Sequence, residues 1–132
     1  MKKLLFSAAL LLLAVVCVCF AESRNNYEIS IAISPNTLAL GSEGVWVTVH
    51  TDISYYKVEH ESLTLNEPST LSEIEIAWTK ADSRGNLVAK FDIDQVKEAV
   101  KDQVGQQVEL ILKGDDIDGV PFEGSDYINV KK

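Results

Sequence analysis

Short runs of alternating apolar and polar residues recur along this chain, and turn-forming residues close most of them. The clearest sets Val45, Val47 and Val49 against Trp46, Thr48 and His50. Tyr27, Ile29, Ile31 and Ile33 alternate with Glu28, Ser30 and Ala32, up to Ser34-Pro35-Asn36. Ile74, Ile76 and Trp78 alternate with Glu75, Ala77 and Thr79; Leu87, Ala89 and Phe91 follow after Asp82-Ser83-Arg84-Gly85-Asn86, completing a hairpin. Val108, Leu110 and Leu112 form another such run, and Phe122 to Val130 is the last, beyond the tight-turn pair Asp118-Gly119. A period of two buries one face of an extended strand and cannot bury a helix face. Weaker extended pieces fall at Leu38 to Leu40 and Val58 to Leu65; Ser62 to Leu65 reads as an edge strand stopped by Asn66-Glu67-Pro68, and Asp52 to Tyr56 as a loop. Trp46 and Trp78 are expected in the core or at its edge. About seven short strands separated by turns predict an all-β sandwich. One segment breaks the rhythm: Ile93, Val96, Val100 and Val104 recur at threes and fours behind Asp92-Ile93-Asp94-Gln95, predicting a short crossover helix over Asp94 to Val104, closed by Gly105.

The N-terminus follows different rules. Met1-Lys2-Lys3 precedes an apolar run from Leu4 to Phe20, and Cys19-Phe20-Ala21 offers small residues where a signal peptidase reads. This pattern predicts a signal peptide over residues 1–21 and a single domain over 22–132. Both cysteines, Cys17 and Cys19, lie in the signal, so the mature domain is expected to hold together by packing, without disulfides. Two alternatives leave the protein membrane-anchored: an uncleaved apolar segment, or a lipidated Cys17 or Cys19. Valine precedes each cysteine, where lipidation signals want a small residue. The chain carries a net charge of -8, and loss of Lys2 and Lys3 takes it to -10. Such a domain repels nucleic acid and anionic lipid. Cleavage predicts a secreted or periplasmic protein with no stable membrane insertion.

Chemistry-bearing constellations are sparse. His50 and His60 are the only histidines and do not share a regular face. There is no Gly-x-Ser-x-Gly elbow, phosphate-binding glycine loop or zinc spacing. Carboxylates are abundant, but a domain this small is not expected to enclose a glycosidase cleft. Two acidic loops admit a hard cation such as calcium: Asp82 with Asn86, and Asp115, Asp116 and Asp118. Arg84 puts a positive charge where the first loop would need a ligand. The competing reading of the second is a solvated hairpin turn, with Asp118-Gly119 serving its backbone. Tyr55 and Tyr56 either present a recognition surface or cover one end of the sandwich.

The string Asp118-Gly119-Val120-Pro121-Phe122-Glu123-Gly124-Ser125-Asp126, running on to Ile128 and Val130, is the most distinctive in the chain. With Ile33-Ser34-Pro35-Asn36-Thr37-Leu38, Val45-Trp46-Val47-Thr48 and Asn86-Leu87-Val88-Ala89-Lys90-Phe91-Asp92, it resembles a secreted immunoglobulin-like module of bacterial and archaeal extracellular proteins. The resemblance covers most of Ile31 to Val130. It implies an immunoglobulin-like β-sandwich and an extracellular location; it does not imply an enzyme. In that module the loop before the Leu87 strand carries an Asp- and Gly-rich, cation-binding pattern; here Asp82 and Asn86 fit it and Lys80 does not.

The expected function is a non-catalytic secreted binding or structural module, with an unidentified protein or glycan partner and no resident cofactor unless calcium binds. The alternatives are a calcium-stabilised extracellular domain and a small secreted enzyme or enzyme inhibitor.

Overall fold

The computed structural model describes residues 26–132; the predicted signal peptide, with Cys17 and Cys19, lies outside them. Ten strands form two sheets around one shared core. In chain order they are β1 (Tyr27–Glu28), β2 (Ile31–Ser34), β3 (Thr37–Ala39), β4 (Trp46–Ser54), β5 (Val58–Glu67), β6 (Ser72–Glu75), β7 (Trp78–Ala81), β8 (Asn86–Asp92), β9 (Gln107–Asp116) and β10 (Pro121–Lys131). A single turn of 3-10 helix, Tyr55–Lys57, joins β4 to β5, and the helix α1, Ile93–Val100, joins β8 to β9. One sheet runs β1-β10-β9-β5-β6, with β3 also paired to β10; the other runs β2-β4-β8-β7.

The described residues are all-β with one α-helix, as the periodicity predicts. The larger strand count arises because two alternating runs each serve both sheets. Tyr27 to Ser34 starts as β1, parallel to β10, then crosses to pair as β2 with β4. A cis Ser34–Pro35 bond follows, and β3 returns to β10. The crossing passes directly over Gly124, where an added Cβ would lie 2.6 Å from the Ile29 carbonyl oxygen and 2.8 Å from Ile31 Cγ2. Asp126 then ties the two sheets together: its Oδ2 accepts the Ile33 amide at 2.9 Å. Likewise, Ile74 to Thr79 is not one strand. β6 pairs with β5 and β7 with β8, and the chain changes sheet at Ile76-Ala77.

Three further expectations are corrected. The segment read as an edge strand, Ser62 to Leu65, lies inside a bulged β5 flanked by β6 and β9, and it does not stop at Asn66. Leu63 and Leu65 are completely buried, so two apolar side chains on one face outweigh the weak flanking pattern. β4 extends through the expected loop to Ser54, burying Thr51 and Ile53. Trp46 and Trp78 are not core residues; they are 38% and 41% exposed. Alternation itself sends them outward: Val47 and Val49 take the inner face of β4, and Trp78 sits opposite Lys90, between the inward-facing Ala89 and Phe91.

The helix forms where expected but ends at Val100. Asp92 accepts the Asp94 amide at 2.8 Å as its N-cap, and Ile93, Val96 and Val100 close one end of the core. Val104 lies beyond it and is exposed, because the chain turns away through Gly105 to meet β10.

A carboxylate is also buried at the β5–β6 connection. Glu67 is 2% exposed, and its two oxygens accept the amides and hydroxyls of Ser69 and Thr70. Burial alone would raise its pKa, but these four donors hold it below 4.5. Glu67→Ala should therefore cost about 1–3 kcal/mol, because it strands two turn amides. A carboxyl with a depressed folded pKa stabilises the fold above its unfolded value and loses that contribution as pH falls through the folded one. In denaturant melts, the advantage of the native chain over Glu67→Gln should hold at neutral pH and shrink below about pH 4.5.

Candidate functional site

Three turns meet at the end of the molecule opposite the helix: Tyr55–Lys57 between β4 and β5, Asp82 to Gly85 between β7 and β8, and Ile117 to Val120 between β9 and β10. Two of them are the same device. In each, an aspartate amide bonds the carbonyl four residues on: Asp82 to Asn86 at 2.9 Å, Asp116 to Val120 at 3.0 Å. A glycine three residues on returns its amide to the aspartate carbonyl: Gly85 at 3.0 Å, Gly119 at 2.9 Å. Those glycines have φ of 80° and 78°, the left-handed conformation that closes a three-residue hairpin loop. In each, the aspartate Oδ1 accepts two loop amides, from Arg84 and Asn86 in one and from Asp118 and Val120 in the other.

Backbone hydrogen bonds join the turns across the sheets. The Tyr55 amide donates to the Gly85 carbonyl at 2.9 Å, and the Ile117 amide to the Lys57 carbonyl at 2.8 Å. The central turn is therefore fixed to both hairpins. Tyr27, at the start of β1, adds a side-chain link. Its hydroxyl donates to Asp116 Oδ2 at 2.9 Å, and Lys57 Nζ lies 5.3 Å from its ring centroid. His60, half-buried in β5, bonds the Tyr55 carbonyl through Nε2 at 2.9 Å and the Thr79 hydroxyl through Nδ1 at 2.8 Å. A carbonyl only accepts, so Nε2 carries the proton in that bond.

The residues singled out in the sequence thus gather at one end but do not converge on a point. Asp115 and Asp116 are neighbours on a strand and face opposite ways; Asp116 is buried, and Asp118 is exposed at the turn. Asp82 and Asn86 belong to the other sheet. Among the described residues, no group of three or more His, Cys, Asp or Glu side chains is placed to hold a metal ion. His50 is exposed on β4, apart from His60. An open hollow of about 370 Å³ beside β1 and β10 is lined by Glu28, Glu109 and Glu123 and by neither histidine. The tyrosine pair divides the two roles foreseen for it. Tyr55 is half-buried against the core and packs at a tilt on His60, ring centroids 4.4 Å apart, whereas Tyr56 is 79% exposed. Ile117, which nothing in the sequence marked, stands beside the Lys57 turn at 57% exposure.

Electrostatics at this end follow from the hydrogen bonds. The Val120 amide, helped by Tyr27 and Asp118, holds Asp116 below the usual carboxylate range; the Asn86 and Arg84 amides do the same for Asp82. Burial and the Asp116 carboxylate push the Tyr27 hydroxyl up to about 12. A phenol with a raised folded pKa stabilises the fold below its unfolded value, 10.0, and loses that contribution as pH rises from there through about 12. An ultraviolet-absorbance titration should show one tyrosine ionising late, and Asp116→Asn should bring it back toward 10.0. A late phase unchanged in that variant would mean that Asp116 does not hold the hydroxyl. No family model matches this sequence, and neither a curated protein nor a solved structure matches it.

Proposed function

We propose that the chain is a secreted, non-catalytic binding module with an immunoglobulin-like sandwich fold, and that it binds through the end where its three turns meet. Strand order supports the fold. The sheet β2-β4-β8-β7 follows the A-B-E-D order of such sandwiches, and β10-β9-β5 follows G-F-C. The first strand is shared between the sheets, and a helix fills the connection between β8 and β9. The signal-like segment over residues 1–21 and the resemblance of Asp118 to Asp126 support secretion.

One observation carries the binding reading. Hydrogen bonds between the turns fix their backbones, yet Tyr56 and Ile117 are left standing in solvent. Exposed apolar side chains on a preorganised scaffold lose little freedom on binding, and tyrosine adds area with a polar tip. Asp82 and Asp116 are already engaged with main-chain amides, so Tyr56 and Ile117 share the free surface of this end with the exposed Lys57, Arg84 and Asp118. A protein surface suits it better than a cation does.

The test compares the mature chain with a Tyr56→Ala/Ile117→Ala variant in capture from the native secretome, followed by titration against the captured partner. Loss of capture with an unchanged melting temperature is the expected result. A contact centred on these two residues should weaken at least about tenfold. Equal capture by both chains would exclude this end as the binding surface.

A further inference from the structure

Trp46 and Trp78 form a second exposed feature, at the far end of β4 from the three turns, roughly 26 Å away at the rise of an extended strand. The rings pack edge-to-face with centroids 6.0 Å apart, across the outer face of β8. The register maps that face in rows. Trp46 sits beside Asp92, Lys90 lies between Thr48 and Trp78, and Val88 lies between His50 and Lys80. Lys90 Nζ donates to Thr48 Oγ1 at 2.7 Å and lies 5.7 Å from the Trp78 ring centroid. Val88 is 1% exposed although it lies outside the core, so the side chains around it form a closed layer. This face is therefore an ordered aromatic platform with ammonium groups at its centre and edge.

Its charge contrasts with the rest of a strongly acidic chain. The outer face of the other sheet carries Glu73, Glu75, Glu109 and Glu123 against Lys113. Here the exposed Lys80 and half-exposed Lys90 lie beside the indoles with Asp92, whose carboxylate already caps the helix, while Asp52 and Asp82 flank His50 at the other end of the face and are bonded to main-chain amides.

We infer that the Trp46–Trp78–Lys90 face binds an anionic polysaccharide, with a sugar ring lying on an exposed indole face and uronate carboxylates meeting Lys80 and Lys90. The apolar C–H face of a pyranose matches an exposed indole, and lysine ammoniums supply point charges for carboxylates. The charge favours this over a neutral glycan. Burial disfavours a membrane surface: both indoles are more than half buried, which leaves little apolar area to enter a bilayer. The inference is independent of the loop-end proposal, since it uses other residues at the other end.

Trp46 and Trp78 are the only tryptophans in the chain, so intrinsic fluorescence reports on this face alone. The titrants are polygalacturonate, dextran as the neutral control, and phosphatidylserine/phosphatidylcholine vesicles. The expected result is a saturable emission change with polygalacturonate that weakens as salt is raised, and a smaller change or none with the other two. Lys80→Glu reverses an exposed charge on an edge strand and should weaken polygalacturonate binding at least about threefold, with its melting temperature unchanged. Lys90→Gln should weaken it as well. No emission change with polygalacturonate, an equal response to dextran or to vesicles, or unaltered affinity in Lys80→Glu would each overturn the inference.

Discussion

The bond that recurs throughout this molecule is a carboxylate accepting a main-chain amide. Asp52 takes the Ser30 amide, Asp82 those of Arg84 and Asn86, Asp92 that of Asp94, and Asp116 those of Asp118 and Val120. Asp126 takes Ile33 and Tyr127, and Glu67 takes Ser69 and Thr70. These amides lie where strand pairing stops: at turns, at a helix start, at the chain crossing. A sheet protein must satisfy them or bear the cost of stranded donors. Ionised oxygens meet that need more strongly than neutral ones. By contrast, the one side-chain ion pair among the described residues, Lys101 with Glu98, lies exposed on the surface and contributes little. In a chain expected to fold without disulfides, acidity is thus partly a structural device.

That device links fold to surface. Because Asp82 and Asp116 close their hairpins from within, the two turns have fixed shapes, and the Tyr55–Lys57 turn can bond to both. The coupling runs on through Tyr27, whose hydroxyl reaches Asp116 from the first strand. That strand also crosses between the sheets and is held by Asp126 and the missing side chain of Gly124. The exposed Tyr56 and Ile117 therefore rest on a frame that starts at the N-terminal strand and ends in β10. Loosening any link in it would cost the end its order before it cost the core its packing.

Much of this was legible in the sequence. Val45 to His50 and Val108 to Leu112 announced their inner faces by alternation, and Ile93, Val96 and Val100 announced the helix. Asp118-Gly119 announced its turn. What escaped were features that depend on the partner rather than on the segment. No local pattern tells that Ile74 and Trp78 belong to different sheets, or that Leu63 and Leu65 lie in an interior strand. The acids of the two loops look alike whether they bind a cation, water or an amide; only the positions of the amides at the i+2 and i+4 residues decide. The tryptophans are the instructive case. Hydrophobicity pointed them inward, whereas period two, with Val47 and Val49 following Trp46, had already pointed Trp46 out; Trp78 kept the rhythm of Ile74 and Ile76, and only the change of sheet at Ile76-Ala77 turned it outward. Where the two rules conflict on one strand, register prevails, because one residue of slip would expose Val47 and Val49 to gain one indole.

The same accounting separates the two ends and faces of the molecule. Asp82 and Asp116, turned toward amides, leave the loop end with fewer free acceptors than its acids suggest and with Tyr56 and Ile117 exposed. The outer face of β9 and β10 keeps its glutamates free and stays acidic. The outer face of β8 keeps lysines beside two indoles, and Lys90 is held in place by Thr48, not by a carboxylate. The lysines beside the indoles therefore stay available because the acids of that face, Asp52, Asp82 and Asp92, are already committed to main-chain amides.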